Sequence, residues 1–315
     1  MVDLLRRKLM VGAGVAAASM TFSSGRAFSA EPLKVGLPAV YTPFAALEYA
    51  NRQGYFGGTT VEVTVFRGGS AAQEALAAGA IDVASISPPT AALAVKKGVS
   101  QKIIALCGPP TLEGWCLASS AKSGVKDIKG LAGANVGITA KGSTTDFLIA
   151  WSAHNASVAM NTIPLGSGVL PALNAGQIGA TVLWPLVSFK AITAGEVYEL
   201  EDYGATAVDA TFDSWVASTT AIDGKKEQLK AFLAGIGKAV KELQADQAKT
   251  MQILSKYHRE NDEKVLKLAH EKLIGTMRSD NVIEIKGIDG ALKMAAIAGV
   301  SNLPSAAEIT DLSLL

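Results

Sequence analysis

From residue 31 onward, short apolar runs alternate with longer alanine-rich amphipathic stretches. "LKVGLPA" reads as a strand, and "YTPFAALEYANRQGYF" as a helix entered through Thr42 as N-cap and Pro43 as first helical residue. "TVEVTVFR" alternates apolar and polar positions at the strand period of two. "GGSAAQEALAAGA" predicts a helix opening at a glycine-rich turn, with Ser70 as its N-cap. "IDVASIS" is a buried strand, "PPTAALAVKKG" a helix and "KIIALCG" a strand. This β-α-β-α-β-α-β order predicts a parallel sheet with helices on both faces.

The pattern then restarts. "NVGIT", "MNTIPLG", "GATVLW" and "VYELED" are strands separated by the helical stretches "STTDFLIAWSAHN", "VLPALNAGQI" and "PLVSFKAIT". After "SWVASTTAI" the chain turns helical in long runs from Lys225 to Met277, with breaks near Ala245-Asp246 and Glu260-Asn261, and "GIDGALKMAAIAG" is a last amphipathic helix. The halves echo each other: "ALAAGAIDVASIS" matches "ALNAGQIGATVLW" as helix, Ala-Gly turn and apolar strand, ending at Ser87-Pro88 and Trp184-Pro185. The joins between halves read as short strands around "GWCLAS" and "DSWVAS". Two α/β lobes joined by two crossings make a cleft, and ligands of open α/β sheets sit at the carboxyl ends of the strands.

The first thirty residues break this pattern. A basic "MVDLLRRK", an apolar "LMVGAGVAAASMTF" and a small-residue "SSGRAFSA" form a signal peptide, with Ala27 and Ser29 three and one residues before a cut at Ala30. The Arg6-Arg7 pair follows Leu5, leaving Sec and twin-arginine export both open, and either route ends in the periplasm. N-terminal sequencing of exported protein should begin at Ala30; a start at Met1 or Val2 would refute the assignment. Expected boundaries are 1–29 for the signal, 30–113 and 217–315 for one lobe, and 114–216 for the other.

Composition narrows the function classes. Hydrophobic residues make up 49% and charged residues 18% of 315, which suits a folded chain with a large core. The net charge is +1, and Arg6, Arg7, Lys8 and Arg26 against Asp3 place +3 before Ala30, leaving about −2 afterwards. That balance gives no footprint for nucleic acid. Cys107 and Cys116 read as small buried hydrophobes, with a disulfide as the alternative.

One turn invites chemistry. "GITAKGSTTDF" has the G-x-x-x-x-G spacing of a phosphate loop, with Gly137 and Gly142 between a strand and a helix. Its only lysine, Lys141, precedes the glycine, so the nucleotide lysine is missing. Gly142, Ser143 and Thr144 at a helix start suit a carboxylate, a sulfonate or a single phosphate. Ser143 or Thr144 capping its own helix is the competing reading, and the spacing leaves both open. Enzyme signatures are absent: His154, His258 and His270 are scattered helix residues outside any site, and Asp146 reads as dipole compensation. No cofactor motif is found. Aromatics are sparse at 6%; Tyr41 and Trp184, at strand ends, belong to the cleft, and Phe44 and Trp215 to the core.

Taken together, "KVGLPAVYTPFAALEYANRQGYF", "RGGSAAQEALAAGAIDVASIS", "KGSTTDFLIAWSA" and "DSWVAS" resemble the sulfonate/nitrate/taurine-type periplasmic binding proteins. These form the NMT1/SsuA-like family of ABC-importer solute-binding proteins. The resemblance implies an α/β, type II periplasmic-binding-protein fold and a monomer that closes on one small anionic solute and serves an inner-membrane permease. It implies no enzyme activity and no cofactor. A pyrimidine-precursor synthase and a periplasmic ligand sensor are the alternatives, and the synthase branch carries a cysteine-rich motif this chain lacks. The implied pocket takes Tyr41, Thr42, Gly69, Ser70, Ser87, Ser143, Thr144 and Trp184, with Gly142 at the turn. Where the family often has an acidic residue after the tryptophan, Trp184 leads to Pro185 and Leu186, giving no carboxylate there for a cationic ligand. Arg67 is the only arginine beside these turns.

Overall fold

The computed structural model describes residues 31–315; the signal-peptide assignment lies outside them. The first half runs β1 (Leu33–Leu37), α1 (Ala45–Arg52), β2 (Val61–Val65), α2 (Gly69–Ala77), β3 (Val83–Ser85), α3 (Pro88–Lys96) and β4 (Gln101–Leu106). The second runs β5 (Cys116–Ser120), β6 (Asn135–Ile138), α4 (Thr144–Ala156), β7 (Asn161–Pro164), α5 (Val169–Asn174), β8 (Ala180–Leu183), α6 (Val187–Thr193), β9 (Val197–Asp202) and α7 (Tyr203–Thr206). β10 (Ser214–Ser218), α8 (Thr219–Gly224), α9 (Lys226–Ala245), α10 (Gln247–His258), α11 (Glu263–Lys272) and α12 (Ile285–Ile297) complete the chain.

Two five-stranded sheets result, ordered β2-β1-β3-β10-β4 and β7-β6-β8-β5-β9. The orders are equivalent, so the internal repeat is a structural one. In each sheet the strand that follows a crossing inserts antiparallel between two others: β10 between β3 and β4, β5 between β8 and β9. The expected all-parallel sheets are therefore mixed, because each crossing strand enters its sheet from the opposite end. The 216/217 boundary falls inside β10, whose pairing with β4 begins at Ser214.

The repeat explains two glycines. A Cβ on Gly36 of β1 would lie 2.4 Å from Ile81 Cδ1, and one on Gly137 of β6 would lie 2.6 Å from Ile178 Cδ1. Ile81 and Ile178 are the matching apolar residues of the two Ala-Gly turns, and each fills the space its glycine leaves. Two expected caps move. Tyr41, not Thr42, precedes the first helical turn, because the Thr42 hydroxyl is spent on His258 Nε2 at 3.1 Å. Gly68, not Ser70, precedes α2, with a φ of 115° that suits glycine. Cys107 and Cys116 are free and buried in separate sheets' ends, as small hydrophobes.

α9 buries Leu229, Phe232, Leu233, Ile236, Val240 and Leu243 at helical spacing. Its Phe232 meets Trp215 at 5.1 Å between ring centroids, and Trp215 meets Phe44 at 5.9 Å. The last helices thus seal the first sheet.

Candidate functional site

A cavity of about 740 Å³ lies between the two sheets' carboxyl ends, and both halves line it. Three helix starts reach it. α2 contributes Gly68 and Gly69 after Arg67, α3 contributes Ser87 and Thr90, and α4 contributes Ser143, Thr144 and Thr145. Pro88 and Pro89 open α3, so that helix has no N–H at its first two positions. The donors at α4 are different. The N–H groups of Thr144 and Thr145 have no protein acceptor among the described residues. Such orphan donors, with the helix dipole behind them, favour an anion or a hydrogen-bond acceptor.

Capping does not account for Ser143. It stands at the N-cap, but its hydroxyl makes no capping bond. Instead, Thr139, Ser143 and Thr145 close a triangle of hydroxyls at 2.9–3.0 Å on the cavity wall. Gly142 adopts φ 72°, yet its N–H donates to Asp146 Oδ2 at 2.9 Å and its carbonyl accepts from Thr90 Oγ1 at 2.9 Å. It does not line the cavity, which corrects the expected backbone approach at that residue. Lys141 is held by Asp146 at 3.2 Å, away from the cavity.

Of the sequence-expected residues, Tyr41, Gly69, Ser87, Ser143, Thr144 and Trp184 line the cavity, while Thr42, Ser70 and Gly142 do not. Thr42 is fully buried behind the wall. The structure adds residues that the sequence reading missed. Trp115 and Asp213 each stand one residue before a crossing strand, β5 and β10 respectively, and both face the cavity. His258, with Tyr257 and Arg259, comes from the end of α10. The expectation that no histidine belongs to the site is corrected for His258. Burial holds its imidazole down at about 4, so it is neutral at physiological pH.

The aromatic wall is continuous. Tyr41 meets Phe44 at 5.3 Å and Trp115 at 6.3 Å, both edge-to-face. The Tyr41 hydroxyl donates to Asp213 Oδ2 at 2.9 Å. Desolvation pushes the Asp213 carboxyl up to about 7, partly offset by that hydrogen bond. Leu186 lines the cavity with φ 69°, an uncommon conformation for leucine of the kind that clusters at ligand sites. At the cleft's edge, Lys190 of α6 reaches across to the buried Glu260 after α10 at 2.6 Å.

Two equivalent α/β lobes, crossed twice and closed around a shared cavity, define the periplasmic-binding-protein fold. The chain belongs to the NMT1/THI5-like family, which matches residues 42–250. Solved structures agree on the architecture. A protein of Bordetella bronchiseptica RB50 is 23% identical with a TM-score of 0.78, covering 90% of this chain and 95% of that one. A Candida albicans protein described as having the generic periplasmic binding protein fold is 14% identical with a TM-score of 0.74, covering 90% and 97%. The alkanesulfonate-binding protein SsuA of Xanthomonas axonopodis pv. citri, bound to MOPS, is 17% identical with a TM-score of 0.74, covering 90% and 98%. No curated protein matches the chain.

Proposed function

We propose that the protein is the periplasmic solute-binding component of an ABC importer, capturing one small organic solute for a membrane permease and catalysing no reaction itself. The observation that carries this is the cavity shared by the two lobes, with an aromatic wall and the unpaired α4 donors facing the same space. A planar or apolar body would rest against Tyr41, Trp115 and Trp184, and its acceptor or anionic end would meet Thr144 and Thr145. The likeness to the alkanesulfonate-binding protein SsuA supports the class of solute without naming it. Nothing in the reading needs a cofactor or a second copy of the chain.

A thermal-shift panel of sulfonates, aromatic carboxylates, nitrate and pyrimidines tests it, since a solute at 100 times its Kd stabilises by about 2.7 kcal/mol. No shift with any of them would count against the reading. For an anionic solute that binds, the Ser143→Ala, Thr144→Ala double variant should weaken affinity by about 1–3 kcal/mol. Its unliganded melting point should barely move, because Ser143 does not cap and the Thr139–Thr145 hydroxyl bond survives. A lower melting point with unchanged affinity would mean that the two side chains only support the helix. The polar end of the solute would then lie at Gly69 in the first lobe.

A further inference from the structure

Asp213 lies at the cavity wall without a counter-charge. Its Oδ2 accepts from Tyr41, and its Oδ1 has no protein donor among the described residues. The rings of Phe44, Trp115 and Phe212 line the same cavity, and among the described residues no lysine, arginine or histidine is paired with it. Nor can it retreat. A Cβ at Gly108 would lie 2.2 Å from Oδ2 and 2.9 Å from the Asp213 Cβ, so the carboxylate has room only because residue 108 is glycine. A desolvated carboxylate is costly unless it finds a proton or a partner. Among the described residues no cationic side chain pairs with it, and the free oxygen belongs to a cavity wall.

We infer that Asp213 is a specificity-determining residue that receives a cationic N–H donor, an amine or amidine, on a solute whose other end is an acceptor or anion held by α4. This rests on the solute-binding reading and narrows it from anionic to zwitterionic.

Matched benzoates test it by calorimetry on the full mature chain, with 4-amidinobenzoate against 4-methylbenzoate. The amidine should bind the wild type at least about tenfold more tightly, as expected for a desolvated charge pair, and Asp213→Asn should erase the preference. The wild type provides a readout that needs no variant. Affinity for the amidine should rise between about pH 5.5 and about pH 8 as the carboxyl ionises, while neither probe titrates. Tyr41 and Cys107, the titratable neighbours of Asp213, are both pushed up by burial and stay neutral over that range. Elsewhere on the wall His258 is neutral over that range, and the other charged side chains there are Arg67 and Arg259. Equal or tighter binding of 4-methylbenzoate overturns the inference and leaves the solute-binding reading standing. So does amidine affinity that falls with rising pH, the mark of a protonated Asp213 donating to an acceptor. If neither benzoate binds, the inference falls, and the reading itself falls only if the wider panel is also silent.

Discussion

Replacing Trp215 by alanine should cost about 3–5 kcal/mol of stability, read as a lower denaturation midpoint in urea. The indole is 1% exposed and packs between Phe44 and Phe232, joining the crossing strand β10 to the start of α1 and to α9 within one core. Its removal leaves a cavity where three elements meet, and β10 already has a register shift against β4 between Trp215 and Val216. The side chain has one defect. Its Nε1 is buried with no hydrogen-bond partner among the described residues. Trp215→Phe discards that orphan donor while keeping an aromatic ring, so it should cost less than about 1.5 kcal/mol despite the smaller volume. A phenylalanine variant as unstable as the alanine one would show that the indole's shape, not its area, carries the contact. Phe44 also lines the cavity between the lobes, so on the proposed solute-binding reading the alanine variant should weaken binding as its support is lost.

The fold was legible because each lobe repeats a local code. Apolar runs bounded by Ala-Gly turns mark the strands, and the matching stretches ending at Ser87 and Trp184 occupy the same place in the two sheets, β3 and β8. Strand direction was not legible. Nothing in "GWCLAS" or "DSWVAS" says that these strands run against their neighbours; that follows only from the chain entering each lobe from the other. The caps failed for a related reason. Thr42 has the right residue type for an N-cap, but a partner 216 residues away, His258, claims its hydroxyl.

The site was half legible. Residues at the ends of parallel strands and the starts of helices follow from the general geometry of α/β sheets, and most of those expected there do line the cavity. Gly142 misled because a positive φ fits a capped turn as well as a ligand loop, and Asp146 claimed its N–H. Asp213 and Trp115 were missed, although a signal was present. If the crossings run beneath a cleft, the residue before each crossing strand is placed to face it, and the repeat puts Trp115 and Asp213 at equivalent positions. His258 carried no such signal, since only the return of α10 to the cleft edge brings it to the wall.

The pH dependence of unliganded stability should look nearly flat in the wild type and tilt in opposite directions in two single variants. Asp213 has its folded-state value raised from 3.8 to about 7 by desolvation, so the folded protein holds a proton that the unfolded chain releases. Its contribution is fully present below about pH 4 and is lost as pH rises through about 7, by at most about 1.4 kcal/mol per unit. His258 is lowered from 6.5 to about 4 by burial, so the unfolded chain binds a proton the folded one refuses. Its contribution is present above about pH 6.5 and is lost as pH falls towards 4, with a shallower slope because the ring still meets water. Between about pH 4 and about pH 6.5 the two slopes oppose each other, which masks both in the wild type. Asp213→Asn removes the first, leaving a protein that weakens on acidification. His258→Gln removes the second, leaving one that strengthens on acidification over the same interval. Urea midpoints across this range check both signs. Parallel curves for the two variants would mean that neither group is as desolvated as its place on the cavity wall requires, and the uncompensated carboxylate behind the proposed specificity would lose its physical basis.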